Sequence, residues 1–135
     1  MPDIAVIDTH ALIWWLDGRR RRLGRRAQVF FDRVDEGDAV ACIPAVALVE
    51  LGETMQRGAF TLDEPFAAFI TRLDGTPSRY QVISLTTAIV IRAHELYRIP
   101  ERGDRLIAAT AAELGLPLVT RDPEMVAAIG GEHVW

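Results

Sequence analysis

Lysine is missing from this chain: all 15 basic residues are arginine. That excludes Schiff-base chemistry and any phosphate site built on a lysine. It also argues against a response-regulator receiver, which needs a lysine at the end of a late strand. Cysteine occurs once, at Cys42, so no intrachain disulfide forms, and its apolar surroundings mark it as a small buried residue. The two serines, Ser78 and Ser84, stand outside any G-x-S-x-G turn, which argues against a serine hydrolase. No C-x-x-C pair, H-E-x-x-H helix, Walker A loop or G-x-G-x-x-G turn is present. No apolar stretch reaches the roughly 18 residues that a membrane helix needs. The first residues lack the basic start and long apolar core of a signal peptide. The expectation is a cytoplasmic protein with no membrane partner.

The 135 residues suit a single domain over 1–135. Half are apolar, enough for a core without covalent staples, and a 25% charged share argues against bulk disorder. The net charge of -4 hides an asymmetry. Arg19, Arg20, Arg21, Arg22, Arg25 and Arg26 form a basic island, readable as a solvated loop and helix start or as a contact for a phosphate backbone.

Apolar runs and helical stripes alternate. Strands are expected at 4–7, 39–43, 80–85 and 117–120, with an edge strand at 133–135. Helices are expected at 10–16, 25–36, 44–57, 63–73, 86–97, 104–114 and 123–129, the third opened by Pro44. Strands separated by helices predict an α/β fold of three layers, a central parallel sheet of about four or five strands with helices on both faces. Ligands in such folds bind beyond the carboxyl ends of the strands.

Four acids are placed for that edge. Asp8 follows the first strand, Glu50 lies two turns into the helix after the second, Asp104 opens the sixth helix, and Asp122 follows the fourth strand. Asp8, Asp104 and Asp122 each also occupy a position where a helix N-cap belongs. Glu50 has no such local explanation, for Thr54 rather than a cation stands at i+4. The scattered His10, His94 and His133 read as surface or packing residues. Together the acids form an all-oxygen set that suits Mg²⁺ or Mn²⁺ rather than zinc, and such an ion serves phosphodiester cleavage where lysine is absent.

Asp8-Thr9-His10 followed by Ala-Leu-Ile-Trp-Trp-Leu resembles the opening of PIN-domain nucleases, most closely the VapC-type toxins of bacterial toxin–antitoxin pairs. The resemblance continues through Ile43-Pro-Ala-Val-Ala-Leu-Val-Glu50-Leu, Gly103-Asp104-Arg105-Leu-Ile-Ala-Ala-Thr-Ala and Pro117-Leu-Val-Thr120-Arg121-Asp122. It implies a Mg²⁺- or Mn²⁺-dependent endoribonuclease with Asp8, Glu50, Asp104 and Asp122 as catalytic and metal-holding residues. It also implies Thr120 as a supporting polar residue, an antitoxin protein as partner and a homodimer. Arg25, Arg26 and Arg105 are the candidate contacts for RNA. Where relatives often carry Asp-Pro-x-Asp-Arg, this chain has Glu101-Arg102-Gly103-Asp104-Arg105, so Glu101 is either a longer-armed metal ligand or a solvated loop acid. The alternatives are a nuclease of the same fold in RNA processing or acting on DNA, and a non-catalytic module that binds RNA or protein and uses the acids as caps.

Overall fold

The computed structural model describes residues 1–135. Five parallel strands, β1 (Ile4–Ile7), β2 (Val40–Pro44), β3 (Tyr80–Ile83), β4 (Leu118–Val119) and β5 (His133–Val134), form one sheet in the order β3-β2-β1-β4-β5. Between them run α1 (Thr9–Leu16), α2 (Arg25–Glu36), α3 (Ala45–Gln56), α4 (Phe66–Asp74), α5 (Thr87–Glu95), α6 (Arg102–Leu114) and α7 (Pro123–Ile129). A short 3-10 turn, Arg20–Arg22, interrupts the link from α1 to α2. No helix is long and apolar enough to cross a membrane.

The order of the strands follows from their composition. β1 is an unbroken apolar run, so it can be covered on both faces, and it takes the centre, with Ala5, Val6 and Ile7 fully buried. β3 carries half-exposed residues and lies at an edge. The chain leaves β1 toward β2 and β3, then returns past β1 to β4 and β5. Right-handed crossovers in these two opposed directions put helices on both faces. A cluster of 29 buried residues fills the layers, with Phe30, Phe31 and Phe69 among its largest members.

Several boundaries differ from the sequence expectation. Pro44 ends β2, paired with Ile83, and takes the N-cap position of α3 rather than its first turn. α4 begins at Phe66 rather than Asp63, because Pro65 restricts the residue before it to extended backbone. β3 stops at Ile83, and Thr86 caps α5 by accepting from the Ile89 N–H at 3.2 Å. α6 begins at Arg102, since Glu101 caps it.

The sheet is closed at β5 by a tether to α2. Arg26 donates to the His133 carbonyl at 3.2 Å and reaches the Glu132 carboxylate at 3.3 Å. Its backbone N–H donates to the Trp135 carbonyl at 3.3 Å. Beneath it, the Trp135 backbone lies so close to Gly24 that any Cβ there would overlap it. Gly24→Ala is therefore expected to destabilise the fold by about 1–3 kcal/mol through overpacking. Urea unfolding should show a lower midpoint with an unchanged slope.

Candidate functional site

β1 and β4 are neighbours whose following segments leave in opposite directions, so a crevice opens beyond their carboxyl ends. Asp8 and Thr120 stand at its root. The Asp8 backbone N–H donates to the Val119 carbonyl at 3.1 Å, which fixes the two strand ends side by side. Asp8 has the backbone of an N-cap for α1, yet its side chain makes no capping bond. Instead, Oδ2 accepts the Thr120 hydroxyl at 2.8 Å, while Oδ1 is buried with no partner. Burial raises the Asp8 carboxyl above its ordinary range, against the pull of Thr120. The Thr120 oxygen also accepts from the Asp122 N–H at 3.1 Å, so one hydroxyl links two of the acids.

The other acids gather from separate elements. Asp122 does cap α7, accepting from Glu124 N–H at 2.9 Å and Met125 N–H at 3.5 Å. Asp104 is not a cap; it lies in the first turn of α6. Glu101 holds the cap, with Oε1 on the Gly103 N–H at 3.1 Å and Oε2 on the Asp104 N–H at 3.0 Å. It is thus not a free loop acid: both oxygens accept from the helix end, while the side chain also lines the cleft. Burial pushes the Glu101 carboxyl up, but those amides, the Asp104 side chain and the Arg102 charge together hold it below its ordinary range. Asp104 is pushed the other way, up to about 7, by burial first, then by sharing a hydrogen bond with Glu101 and by the charges of Glu101, Asp8 and Asp122.

Asp8, Asp104 and Asp122 line one cleft of about 310 Å³ with His10, Trp14, Arg121 and Trp135. Glu50 faces an adjoining cleft with Thr9 and Glu101, and His10 and Asp104 line both. Glu50 accepts the Thr9 hydroxyl at 2.6 Å, and burial raises its carboxyl, with Glu101 and Asp8 adding to the rise. Its carboxylate lies over Gly103, where a Cβ would stand 2.5 Å from Oε2, so only glycine leaves room for it. No three acidic or histidine side chains close on one point as they stand. The carboxylates line a pair of joined clefts rather than a cage.

Arg25, Arg26 and Arg105 line neither cleft. Arg26 is spent on β5, and Arg25 is exposed at the start of α2. Two other arginines do enter: Arg57 lines the cleft of Glu50, and Arg121, between Thr120 and Asp122, lines that of Asp8, with its guanidinium 4.7 Å from the Trp14 ring centre. Sequence reasoning missed Arg121, Thr9, His10, Trp14 and Trp135 as site residues. Adjacency to the matched acids was the available signal for Thr9 and Arg121.

The model for the PIN domain matches residues 5–130. No curated protein matches the chain by sequence. Solved structures do. VapBC2 from Rickettsia felis, bound to a DNA fragment from its promoter, has a chain similar at 16% identity and TM-score 0.65, with 96% of each chain covered. A chain of FitAcB from Neisseria gonorrhoeae is similar at 17% identity and TM-score 0.62, with 96% of this chain and 95% of that one covered. A toxin–antitoxin complex from Klebsiella pneumoniae gives 21% identity and TM-score 0.59, with 91% of this chain and 90% of that one covered. At these identities the likeness is one of fold.

The raised carboxyl of Asp104 sets a pH dependence. Its folded value lies above the ordinary carboxylate range, so its contribution to stability is present at low pH and lost as pH rises toward about 7. In chelator, wild type is expected to lose melting temperature between pH 5 and pH 8, and Asp104→Asn to lose less. The variant should melt a few degrees above wild type at pH 8, at roughly 3 °C per kcal/mol for a domain of this size. Parallel calorimetric scans at the two pH values measure the difference.

Proposed function

The chain belongs to the PIN domain family, and from that premise we propose that it is a Mg²⁺- or Mn²⁺-dependent endoribonuclease, the toxin of a toxin–antitoxin pair. The observation that carries this reading is Asp8: a buried carboxylate at the switch point of the sheet, one oxygen held by Thr120 and the other without a partner. A buried polar atom left unpaired is costly, and a hard cation answers it. The neighbouring acids fit the same ion, because Asp8, Glu50 and Asp104 all resist ionisation in this setting. Capping accounts for Asp122 and Glu101 but not for Asp8, Glu50 or Asp104, which weighs against a module that uses its acids only as caps.

Asp8, Asp104, Asp122 and, from the adjoining cleft, Glu50 would hold the ion. When bound, it supplies activation of water at neutral pH and offsets charge on the phosphoryl group and the leaving 3′ oxygen, giving 5′-phosphate and 3′-hydroxyl ends. The protein's own groups do the positioning. Thr120 and Thr9 fix the Asp8 and Glu50 carboxylates through short hydrogen bonds. Asp104 sits within one turn of the positive end of α6, with Glu101 relieving the helix terminus so that Asp104 stays turned into the cleft. Arg121 and the exposed Arg21 and Arg22 supply positive charge for a phosphate backbone that the acids alone would repel.

Partner surfaces fit the toxin reading. Phe69 of α4 is core, but Phe66 is exposed, lies over Gly52 and lines a shallow groove with Met55, apolar ground for an antitoxin segment. Ile91 and Tyr97, at 64% and 68% exposure, with Val90 beside them, offer a face for pairing of two copies. Sedimentation at micromolar concentration is expected to show a dimer, and Ile91→Asp a monomer; a wild-type monomer counts against pairing.

The catalytic reading is tested by RNA cleavage and thermal melts on one set of variants. Asp8→Asn, Asp104→Asn, Asp122→Asn and Glu50→Gln should each lose at least ~100-fold in cleavage, while Asn still caps α7 in place of Asp122. Gly103→Ala should keep the helix and lose cleavage, since its methyl displaces the Glu50 carboxylate. Glu101→Gln should cost about 1 kcal/mol of stability with a smaller effect on cleavage. Wild-type rates in Asp8→Asn and Asp104→Asn would refute the metal-site reading.

A further inference from the structure

One part of the cleft that holds Asp8, Asp104 and Asp122 is unlike the rest of it. Beside the carboxylates it is lined by Trp14, Trp135, Arg121 and His10. Trp14 meets Trp135 edge-on at 5.9 Å and 62°, and His10 stacks on it at 5.7 Å and 30°. The Arg121 guanidinium lies over the same indole at 4.7 Å, and Arg22 approaches it at 6.0 Å. The adjacent Trp15 provides a contrast. It packs on Phe31 at 4.4 Å and on Tyr80, and its indole N–H donates to Asp35 at 3.3 Å, as a structural tryptophan does. Trp14 makes none of those contacts; it is itself a buried member of the core, but three of the groups against its ring, His10, Arg22 and Arg121, are exposed.

Arg121 is the second peculiarity. It is exposed among acids, next in sequence to Asp122, yet takes part in none of the ion pairs of the molecule. Its guanidinium carbon lies 4.7 Å from the centre of the indole instead, and the side chain is exposed, with its N–H donors engaged by no other side chain. A guanidinium or an imidazole presented this way is a platform on which an unstacked base can lie.

We infer that this wall is a subsite for one unpaired nucleobase of single-stranded RNA, seated against Arg121, His10 and the Trp14–Trp135 pair while the attached phosphate faces Asp8 and Asp104. The inference rests on the nuclease reading for the identity of the strand. Two features set its substrate class. The cleft, at about 310 Å³, lies at the low end of the ~300–1,000 Å³ range of small-ligand pockets, room for one nucleotide and not for a duplex. Trp14 is only 9% exposed, covered by Arg121 and His10, so those two exposed groups are the surface a base meets, and only a base outside its own stack has a face free for them. Arg22, beyond Trp14, then continues the path of the backbone toward Arg21.

The test is binding without turnover, in an Asp104→Asn background with Mg²⁺, read by anisotropy of a labelled strand and by tryptophan fluorescence. The probes are a short single-stranded oligoribonucleotide, the same sugar–phosphate chain lacking its bases, and the sequence in a duplex. The single strand is expected to bind about tenfold tighter than either other probe and to quench tryptophan emission. Adding Arg121→Gln or Trp135→Ala should bring that ratio close to one. Arg121 is exposed, so its replacement keeps the fold and the test decisive even where Trp135→Ala unfolds. Equal affinity for the base-free chain, or a preference that survives both substitutions, overturns the subsite. Base preference in the Asp104→Asn protein together with no RNA cleavage by the wild-type protein in Mg²⁺ or Mn²⁺ would sink the nuclease reading and leave the subsite standing. Cleavage without base preference would do the reverse.

Discussion

Burying Asp8 at the end of β1 obliges the surrounding chain to accommodate a desolvated carboxylate, and much of the molecule is arranged accordingly. The central strand must be apolar throughout to lie between β2 and β4, and its direction then delivers the next residue into the crevice. Thr120 arrives from β4 with the only hydroxyl that reaches that carboxylate, and its oxygen orders Asp122 in the same stroke. What the protein does not supply is a partner for the second oxygen of Asp8. That deficit, deep in a well-packed sheet, ties the chemistry of the cleft to the architecture beneath it.

The acids divide into those that finish helices and those that do not. Glu101 closes α6 with both its oxygens. Because it does so, Asp104 need not turn back to the helix end and is left facing Asp8 and Asp122. Asp122 does both tasks, capping α7 through one oxygen while lining the cleft. The longer arm of glutamate at the cap and the shorter arm of aspartate in the first turn are what make this sharing possible.

The sequence makes some of this plain and hides the rest for physical reasons. β1, α2 and α7 are legible to the residue, since an unbroken apolar run, a clean helical stripe and an Asp-Pro start are local signals. The starts of α4 and α6 are not, because they turn on how Pro65 and Glu101 use their backbones and side chains. Of the four acids, Asp8 and Asp122 can be located from strand ends, whereas Glu50 and Asp104 lie within helices and stand out by the motifs around them. Their roles cannot be read so, since capping and site chemistry favour the same residue at the same position, and only the fold shows that Asp8 forgoes its cap for Thr120. Trp14 and Trp135 meet from distant parts of the chain, and no periodicity announces such a pair.

The bond between Thr120 and Asp8 joins residues 112 apart, whereas that between Thr9 and Glu50 spans 41. Pairings of such length are slow to find, because the intervening chain must be gathered before the contact repays it. On a ribosome adding roughly 5–20 residues per second, the β1–β2–β3 half can associate while β4 is still unmade, for a few seconds at about that rate. During that interval Glu50 has its hydroxyl and Asp8 has none. The order in which the strands are synthesised thus acts as a timer: the acids assemble in two instalments, and the crevice acquires its far side only when β4 slots in beside β1 and β5 docks beyond it.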